Sequence, residues 1–165
     1  MLKKTNCLDC GKSMRRHVED VPFDPALPGV VLVGVSVYRC THCDYFEVEI
    51  PHLEKLHHSI AMHFVRQSRR LQGAEVRFLR KWLGWSGQDF ARHMGVSAET
   101  VSRWENEREP IGGTSDRLLR LMVLFGRPVS DYSLDRLADI SDAPSATPAV
   151  PARFSRTRDG WRSAA

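Results

Sequence analysis

Residues 86–105 read SGQDFARHMGVSAETVSRWE. Ser86 is a favoured N-cap residue, so a short helix is expected to begin there and to end near Met94. Gly95 then begins a tight turn, and Ser97 caps a second short helix whose outer face is polar. Two short helices joined by a glycine-containing turn are the pattern of a helix-turn-helix.

Further helices are predicted on both sides of this motif. Upstream, Val76, Leu79 and Leu83 recur at helical spacing, and Gly84 ends that helix. Downstream, a last helix places four apolar residues on one side, namely Leu118, Leu121, Met122 and Phe125. Together these segments predict an all-α helix-turn-helix domain over residues 74–140.

Residues 51–73 connect this domain to the first part of the chain. Pro51 is suited to the first turn of a helix, and apolar residues then recur at helical spacing at Leu53, Leu56, Ile60, Phe64 and Leu71. The pattern predicts a helical linker over 51–73 that is broken near Gly73.

The four cysteines of the chain form two Cys-x-x-Cys pairs, Cys7 with Cys10 and Cys40 with Cys43. Two such turns can bring four thiolates to one tetrahedral zinc ion, which favours a closed structural site with one Zn²⁺ per chain. Disulfides, a redox pair and an iron–sulfur cluster are the alternatives. His42 is interpreted as a turn residue, and His57, His58 and His63 as helix residues, with no second metal site.

The segments around the second cysteine pair have the character of strands. Residues 30–38 are rich in β-branched side chains, and residues 45–50 alternate apolar and acidic side chains, whereas residues 21–29 are predicted to form a loop. The prediction is a small β-rich zinc-binding domain over residues 1–50, in which the metal compensates for a small apolar core. With the helices that follow, the fold class is α+β.

Charge and hydropathy limit the classes of function. The net charge is +4 in 165 residues, and the basic residues concentrate after residue 60, most densely over 66–81. A basic surface beside a helical domain suits a polyanion such as nucleic acid. No signal peptide opens the chain and no apolar run approaches the roughly 20 residues of a membrane helix. A cytoplasmic protein without a membrane partner is therefore expected.

The last segment, residues 141–165, is rich in Pro, Ala, Ser and Arg and has no sustained periodicity. It is predicted to be a mostly disordered basic tail. Its arginines and aromatic side chains are candidates for contact with nucleic acid or a protein partner.

The run over 86–105 resembles the phage-repressor family, of the Cro/cI or XRE type. Together with the two cysteine pairs and the segment YRCTHC at 38–43, residues 5–128 resemble the MqsA or YgiT family of zinc-binding antitoxins and regulators. The resemblance implies a repressor that binds a palindromic operator in double-stranded DNA as a homodimer. In toxin-linked members of that family, the zinc domain also binds a small toxin protein.

By the same resemblance, the second helix of the motif enters the DNA major groove. Arg103 aligns with the family's base-reading arginine, and arginine is well shaped for bidentate contact with guanine. Glu99 lies where the family's antitoxins can carry asparagine, and a carboxylate accepts from cytosine instead of pairing with adenine. Candidates for phosphate or base-edge contact are Gln88, Ser97, Thr100 and Ser102. Val101 and Trp104 are expected in the core.

The sequence is compatible with three functions. The first is an autoregulatory repressor of the antitoxin type. The alternative is a stand-alone zinc-containing transcriptional regulator that has no toxin and responds to metal, to oxidant or to another partner. A zinc-dependent enzyme is disfavoured, because a site closed by four cysteines leaves no open position for water or substrate. No catalytic residues are assigned.

Overall fold

The computed structural model of the protein describes residues 6–125 and 151–164, which form an α+β fold. In chain order, the elements are β1 (Met14–Pro22), β2 (Val30–Cys40), β3 (Phe46–Glu49), α1 (Leu53–Val65), α2 (Gly73–Trp82), α3 (Gly87–Met94), α4 (Ala98–Glu105), α5 (Gly113–Phe125), β4 (Ala152–Thr157) and β5 (Gly160–Ala164). The α+β class predicted from the sequence is confirmed.

The long strand β2 is the centre of a five-stranded sheet. Antiparallel β1 lies along one side of it. On its other side, parallel β4 lies beside the first half and antiparallel β3 beside the second, and β5 pairs with β4. Gly34 has a φ of 65°, and the register of β1 with β2 shifts close to it, which indicates a bulge. The predicted strands at 30–38 and 45–50 correspond to β2 and β3, whereas β1 was not predicted.

The prediction of a disordered tail is wrong for residues 152–164. Ala152 and Phe154 are buried and alternate with exposed side chains, so β4 has the pattern of a half-buried strand. The hairpin of β4 and β5, called here the C-terminal hairpin, is fixed to the rest of the fold. The Trp161 indole donates to the Pro51 carbonyl at 2.7 Å, and Lys55 donates to the Asp159 carbonyl at 2.9 Å. Residues 126–150, which the sequence divides between the helical domain and the tail, lie outside the described residues.

Helix α1 lies between the sheet and the other helices and contacts both. It contacts β5 on one side and α2 and α5 on the other. Its Leu56, Ile60 and Val65 are fully buried in one apolar core, which extends from Leu32 in the sheet to Leu119 in α5. The segment predicted as a linker therefore packs as a central element, and it is shorter than expected because α1 ends at Val65.

The end of α1 is held by one buried side chain of α5. Arg120 is fully buried and donates to the backbone carbonyls of Phe64, Val65, Gln67 and Arg69, at 3.3, 2.9, 2.6 and 2.7 Å for the shortest contact with each. It also pairs with buried Asp116 at 2.6 Å. The last carbonyls of a helix need partners outside its regular hydrogen bonding, and Arg120 supplies one to Phe64 and one to Val65.

Helix α2 begins at a close approach to the backbone of α4. Gly73 begins α2, and a Cβ there would lie 2.5 Å from the Trp104 carbonyl oxygen, so only glycine permits this approach to α4.

Helix α5 faces the core with Leu119, Val123 and Leu124. The predicted side of Leu118, Leu121, Met122 and Phe125 is the opposite face, on which Phe125 is 85% exposed.

Candidate metal centre and nucleic-acid interface

The four cysteines converge at one end of the sheet. Their Sγ atoms all lie within 4.8 Å of one another. The separations are 3.6 Å between Cys7 and Cys43, 3.4 Å between Cys10 and Cys40, and 3.7 Å between Cys10 and Cys43. Zinc–sulfur bonds of about 2.3 Å in a tetrahedron place the sulfurs about 3.8 Å apart. The four thiols therefore have the separation of a tetrahedral thiolate set.

Backbone hydrogen bonds build the two turns that carry these thiols. In the first turn, the Gly11 N–H donates to the Cys7 carbonyl at 2.9 Å and the Cys7 N–H donates to the Lys12 carbonyl at 2.8 Å. In the second, Cys40 is the last residue of β2, and its N–H donates to the Tyr45 carbonyl at 2.9 Å. The pairing of β1 with β2 brings the two turns together, since Met14 lies opposite Cys40.

The surroundings of the thiols favour thiolate at one cysteine and thiol at another. Burial raises the pKa of Cys40, but the backbone N–H groups of His42 and Cys43 and two neighbouring thiols lower it to about 6. The Tyr45 N–H lowers the pKa of Cys43, but burial and the three other thiols raise it to about 12. Four thiols this close cannot all ionise without a cation among them, and a divalent soft metal is the cation that such a donor set accepts. The residues fit one metal ion.

His42 lies in the second cysteine turn, as the sequence predicts. His42 is exposed, and its backbone N–H donates to the Cys40 Sγ at 3.3 Å. Within the described residues, the cluster suited to a metal contains the four cysteines and no histidine. The sequence and the geometry agree on the donor set, and zinc as the ion stays a proposal.

The helix-turn-helix is formed by α3 and α4. The Ser86 hydroxyl accepts from the Asp89 N–H at 3.1 Å and caps α3. Gly95 adopts the left-handed conformation, with φ of 66°, and ends α3. Ser97 caps α4 by accepting from the Thr100 N–H at 3.2 Å. Both caps and the glycine turn are where the sequence predicts them.

Helix α4 has a buried side and an exposed side. Val101 and Trp104 are 3% and 5% exposed, in agreement with the prediction that they belong to the core. The exposed side carries Glu99, Ser102 and Arg103. A short capped helix with a polar outer face and an apolar inner face has the form required of a helix that enters the major groove.

The structure separates the predicted DNA contacts into two groups. Gln88 and Ser102 line one groove of about 300 Å³ between α3 and α4, and both are exposed. Ser97 and Thr100 form the cap of α4 and lie 3.2 Å apart through their hydroxyl oxygens. The Gln88 side chain is exposed to a ligand, and the exposed Ser102 hydroxyl accepts from the Asn106 amide at 3.3 Å. The Ser97 hydroxyl already caps the start of α4.

Arg103 and Glu99 lie one helical turn apart on the exposed side. Arg103 is 3.7 Å from Glu109, and both side chains are about half exposed, so this ion pair is weak and easily exchanged for a DNA contact. The Glu99 backbone N–H and the Ser97 hydroxyl hold the pKa of Glu99 below its usual value. Glu99 is therefore a carboxylate at neutral pH, as an acceptor for cytosine must be.

The basic run over 66–81 is in large part structural, which the charge pattern alone did not show. Glu105, at the end of α4, pairs with Arg80 at 2.5 Å and with Arg77 at 3.2 Å. Arg69 pairs with buried Glu75 at 2.5 Å. These arginines hold α2 against α4 and fix the start of α2. Glu105 therefore has two basic partners within the domain.

Comparison with known proteins agrees with this geometry. A family model described as a helix-turn-helix domain matches residues 73–133. No curated relative matches the chain. The domain is that of a DNA-binding regulator, a class that is typically not enzymatic. Within residues 6–125 and 151–164, no helix is long and apolar enough to cross a membrane.

Proposed function

We propose that the protein is a sequence-specific transcriptional repressor that binds a palindromic operator as a homodimer. The observation that carries this proposal is the exposed polar side of α4, with Arg103 and Ser102 outward and Trp104 buried behind them. Gln88, Ser97, Glu99 and Thr100 are the other proposed contacts. Reading of base edges by an exposed arginine, with phosphate contacts around it, is how such helices select a sequence.

A homodimer is supported by the outer side of α5. Leu118, Leu121 and Met122 are partly exposed there, and Phe125 is 85% exposed. An apolar helix face of this kind suits the isologous contact of a twofold dimer. Such a dimer presents two α4 helices to half-sites about one DNA turn, roughly 34 Å, apart.

In this proposal the four cysteines bind one structural zinc ion, which fixes the two turns at the end of the sheet. The support is the thiol separation and the closed donor set of Cys7, Cys10, Cys40 and Cys43. The resemblance to the MqsA family extends the proposal to a small toxin, held by the zinc-bearing sheet.

One observation favours the alternative, a stand-alone zinc-containing regulator with no toxin. The family arrangement implied by the sequence has a zinc domain followed by a terminal helical domain. Here the chain returns after the helices, and β4 completes the zinc-bearing sheet beside β2. The sheet and the helices also share one core. A sheet built in this way does not depend on a second protein to complete it.

Purification of the tagged protein from its native locus, followed by mass spectrometry, separates these functions. A small protein recovered in stoichiometric amount, and encoded beside this one, is expected for the antitoxin. The Arg103→Ala variant is the matched control, because it is expected to bind operator DNA more weakly and to keep such a partner. Recovery of the repressor with DNA and without a protein would leave the stand-alone regulator. Recovery with neither would contradict both.

A further inference from the structure

A pocket lies between α1 and the C-terminal hairpin. Neither the four cysteines nor the residues of α4 line it. Its volume is about 510 Å³. Small-molecule sites typically have volumes of about 300–1,000 Å³. Residues of α1 and of the α1–α2 connection form most of the wall, and Phe154 and Ser163 of the hairpin close the other side. The pocket is therefore large enough for a metabolite.

The charged side chain that lines the pocket is positive. Arg66 is exposed at its edge, and no Asp or Glu lines the pocket. The ion pairs found within residues 6–125 and 151–164 do not include Arg66. The three ion-paired arginines of the neighbouring basic run, at 69, 77 and 80, differ from it in this respect. An arginine that has kept its charge available beside a cavity attracts an anion.

Neutral hydrogen-bonding groups lie beside this charge. The Gln67 amide nitrogen is 2.9 Å from the His63 Nε2, and the Gln67 Oε1 is buried with no hydrogen-bond partner in the described residues. The rings of Phe64 and Phe154 lie edge-on to the His63 ring, with centroids 5.7 and 5.9 Å away, and fix its orientation. Burial lowers the pKa of His63, so this imidazole is uncharged at neutral pH and offers directional hydrogen bonds.

The apolar part of the wall comes from Met62 and Phe154, which are almost completely buried beneath the pocket. A ligand that satisfies both parts of the wall has an anionic group and an apolar body. We propose that this pocket binds a small organic anion, with its carboxylate or phosphate on Arg66 and its apolar body against Met62 and Phe154.

The position of the pocket connects it to the helix-turn-helix. Arg66 is the C-cap residue of α1, and the next carbonyl, that of Gln67, accepts from Arg120 of α5 at 2.6 Å. An anion on Arg66 therefore contacts the connection that holds the helices against the sheet. Any effect on operator binding rests on the proposed function, whereas binding of the anion does not.

Titration of the full chain, labelled with ¹³C at the methionine methyl groups, tests the proposal by NMR. The probes are benzoate, salicylate and phenyl phosphate, and benzamide is the uncharged control. At least one anion is expected to shift the Met62 methyl signal saturably, and benzamide is expected to bind more weakly. Arg66→Gln is expected to weaken binding about tenfold, the effect of losing one charge-assisted contact.

Arg15→Gln is the matched variant, because Arg15 is exposed on β1 and does not line the pocket. Its affinity for the anion is expected to equal that of the wild type. Absence of a saturable shift with all three anions would overturn the proposal. So would equal affinity of Arg66→Gln and wild type, or benzamide binding as tightly as the anions.

Discussion

Replacement of Arg120 by methionine is expected to destabilise the protein more than removal of any exposed ion pair. Arg120 is fully buried, and its guanidinium donates to four backbone carbonyls and to Asp116. Methionine fills similar volume but donates nothing. The variant leaves a buried carboxylate at Asp116 without its cation and removes the hydrogen bonds that Arg120 donates to four backbone carbonyls.

The magnitude follows from the burial of both partners. Removal of one member of a buried ion pair costs about 3–5 kcal/mol, because the other charge stays buried without compensation. That loss is a large part of a total stability of about 5–15 kcal/mol. Removal of the charge from both partners, in Arg120→Met with Asp116→Asn, is expected to recover at least about 1 kcal/mol. The asparagine oxygen can still accept from the Leu71 N–H, which Asp116 holds at 2.9 Å.

Urea unfolding followed by circular dichroism measures these differences. Arg92→Met is the control, because Arg92 is 75% exposed and its ion pair with Asp89 is long, at 3.6 Å. Loss of this pair is expected to cost less than about 1 kcal/mol of stability. Arg120→Lys keeps the charge with fewer donors and is expected to lose less stability than Arg120→Met. It is the variant to measure if Arg120→Met does not fold. An Arg120→Met variant within about 1 kcal/mol of wild type would refute the reasoning.

Three further predictions concern the metal, the close contact of Gly73 with α4, and the DNA contacts. Elemental analysis is expected to find about one zinc ion per chain, and a chelator is expected to speed amide exchange around the two cysteine turns; unchanged exchange there would contradict the metal centre. Gly73→Ala is expected to cost about 1–3 kcal/mol in thermal unfolding, because its Cβ would lie 2.5 Å from the Trp104 carbonyl oxygen. Gly87→Ala is the control, since a Cβ there meets nothing within 4 Å, and an equal loss in both variants would count against the close-approach argument. Operator affinity is expected to fall with salt with a log–log slope on the order of −5, for about six phosphate contacts; a flat dependence would exclude them.

Local signals in the sequence predicted the elements that depend on local chemistry. The caps at Ser86 and Ser97 and the turn at Gly95 fix the two helices of the motif, and each acts within a few residues. The β-branched run of β2 and the spacing of the cysteines are equally local. The helix-turn-helix and the cysteine cluster could therefore be recognised without coordinates.

The elements that the sequence did not reveal depend on contacts between distant residues. The C-terminal hairpin is stable because β4 finds the open side of β2, more than 100 residues earlier in the chain, and composition alone suggested disorder. A weak signal was present, since Ala152 and Phe154 alternate with polar residues and Gly160 follows the turn. Strand β1 has few buried residues and lacked even that.

Arg120 illustrates a second limit of sequence reasoning. It lies in a run of leucines, where all sides of the helix are apolar and the periodicity does not choose the inner face. The inner face is instead decided by Asp116 and by the carbonyls at the end of α1, which belong to another element. The same limit applies to the arginines at 77 and 80, whose partner Glu105 lies on α4.

Selection of binding sites from random duplex DNA, with wild type and with Arg103→Ala, tests the central claim most directly. The wild type is expected to enrich a palindrome whose half-sites lie about one helical turn apart. Arg103→Ala is expected to keep the palindrome and to lose about 1–3 kcal/mol of preference at one base pair of each half-site. Failure to enrich any sequence, or the same preference in both proteins, would contradict an account in which α4 reads DNA through Arg103.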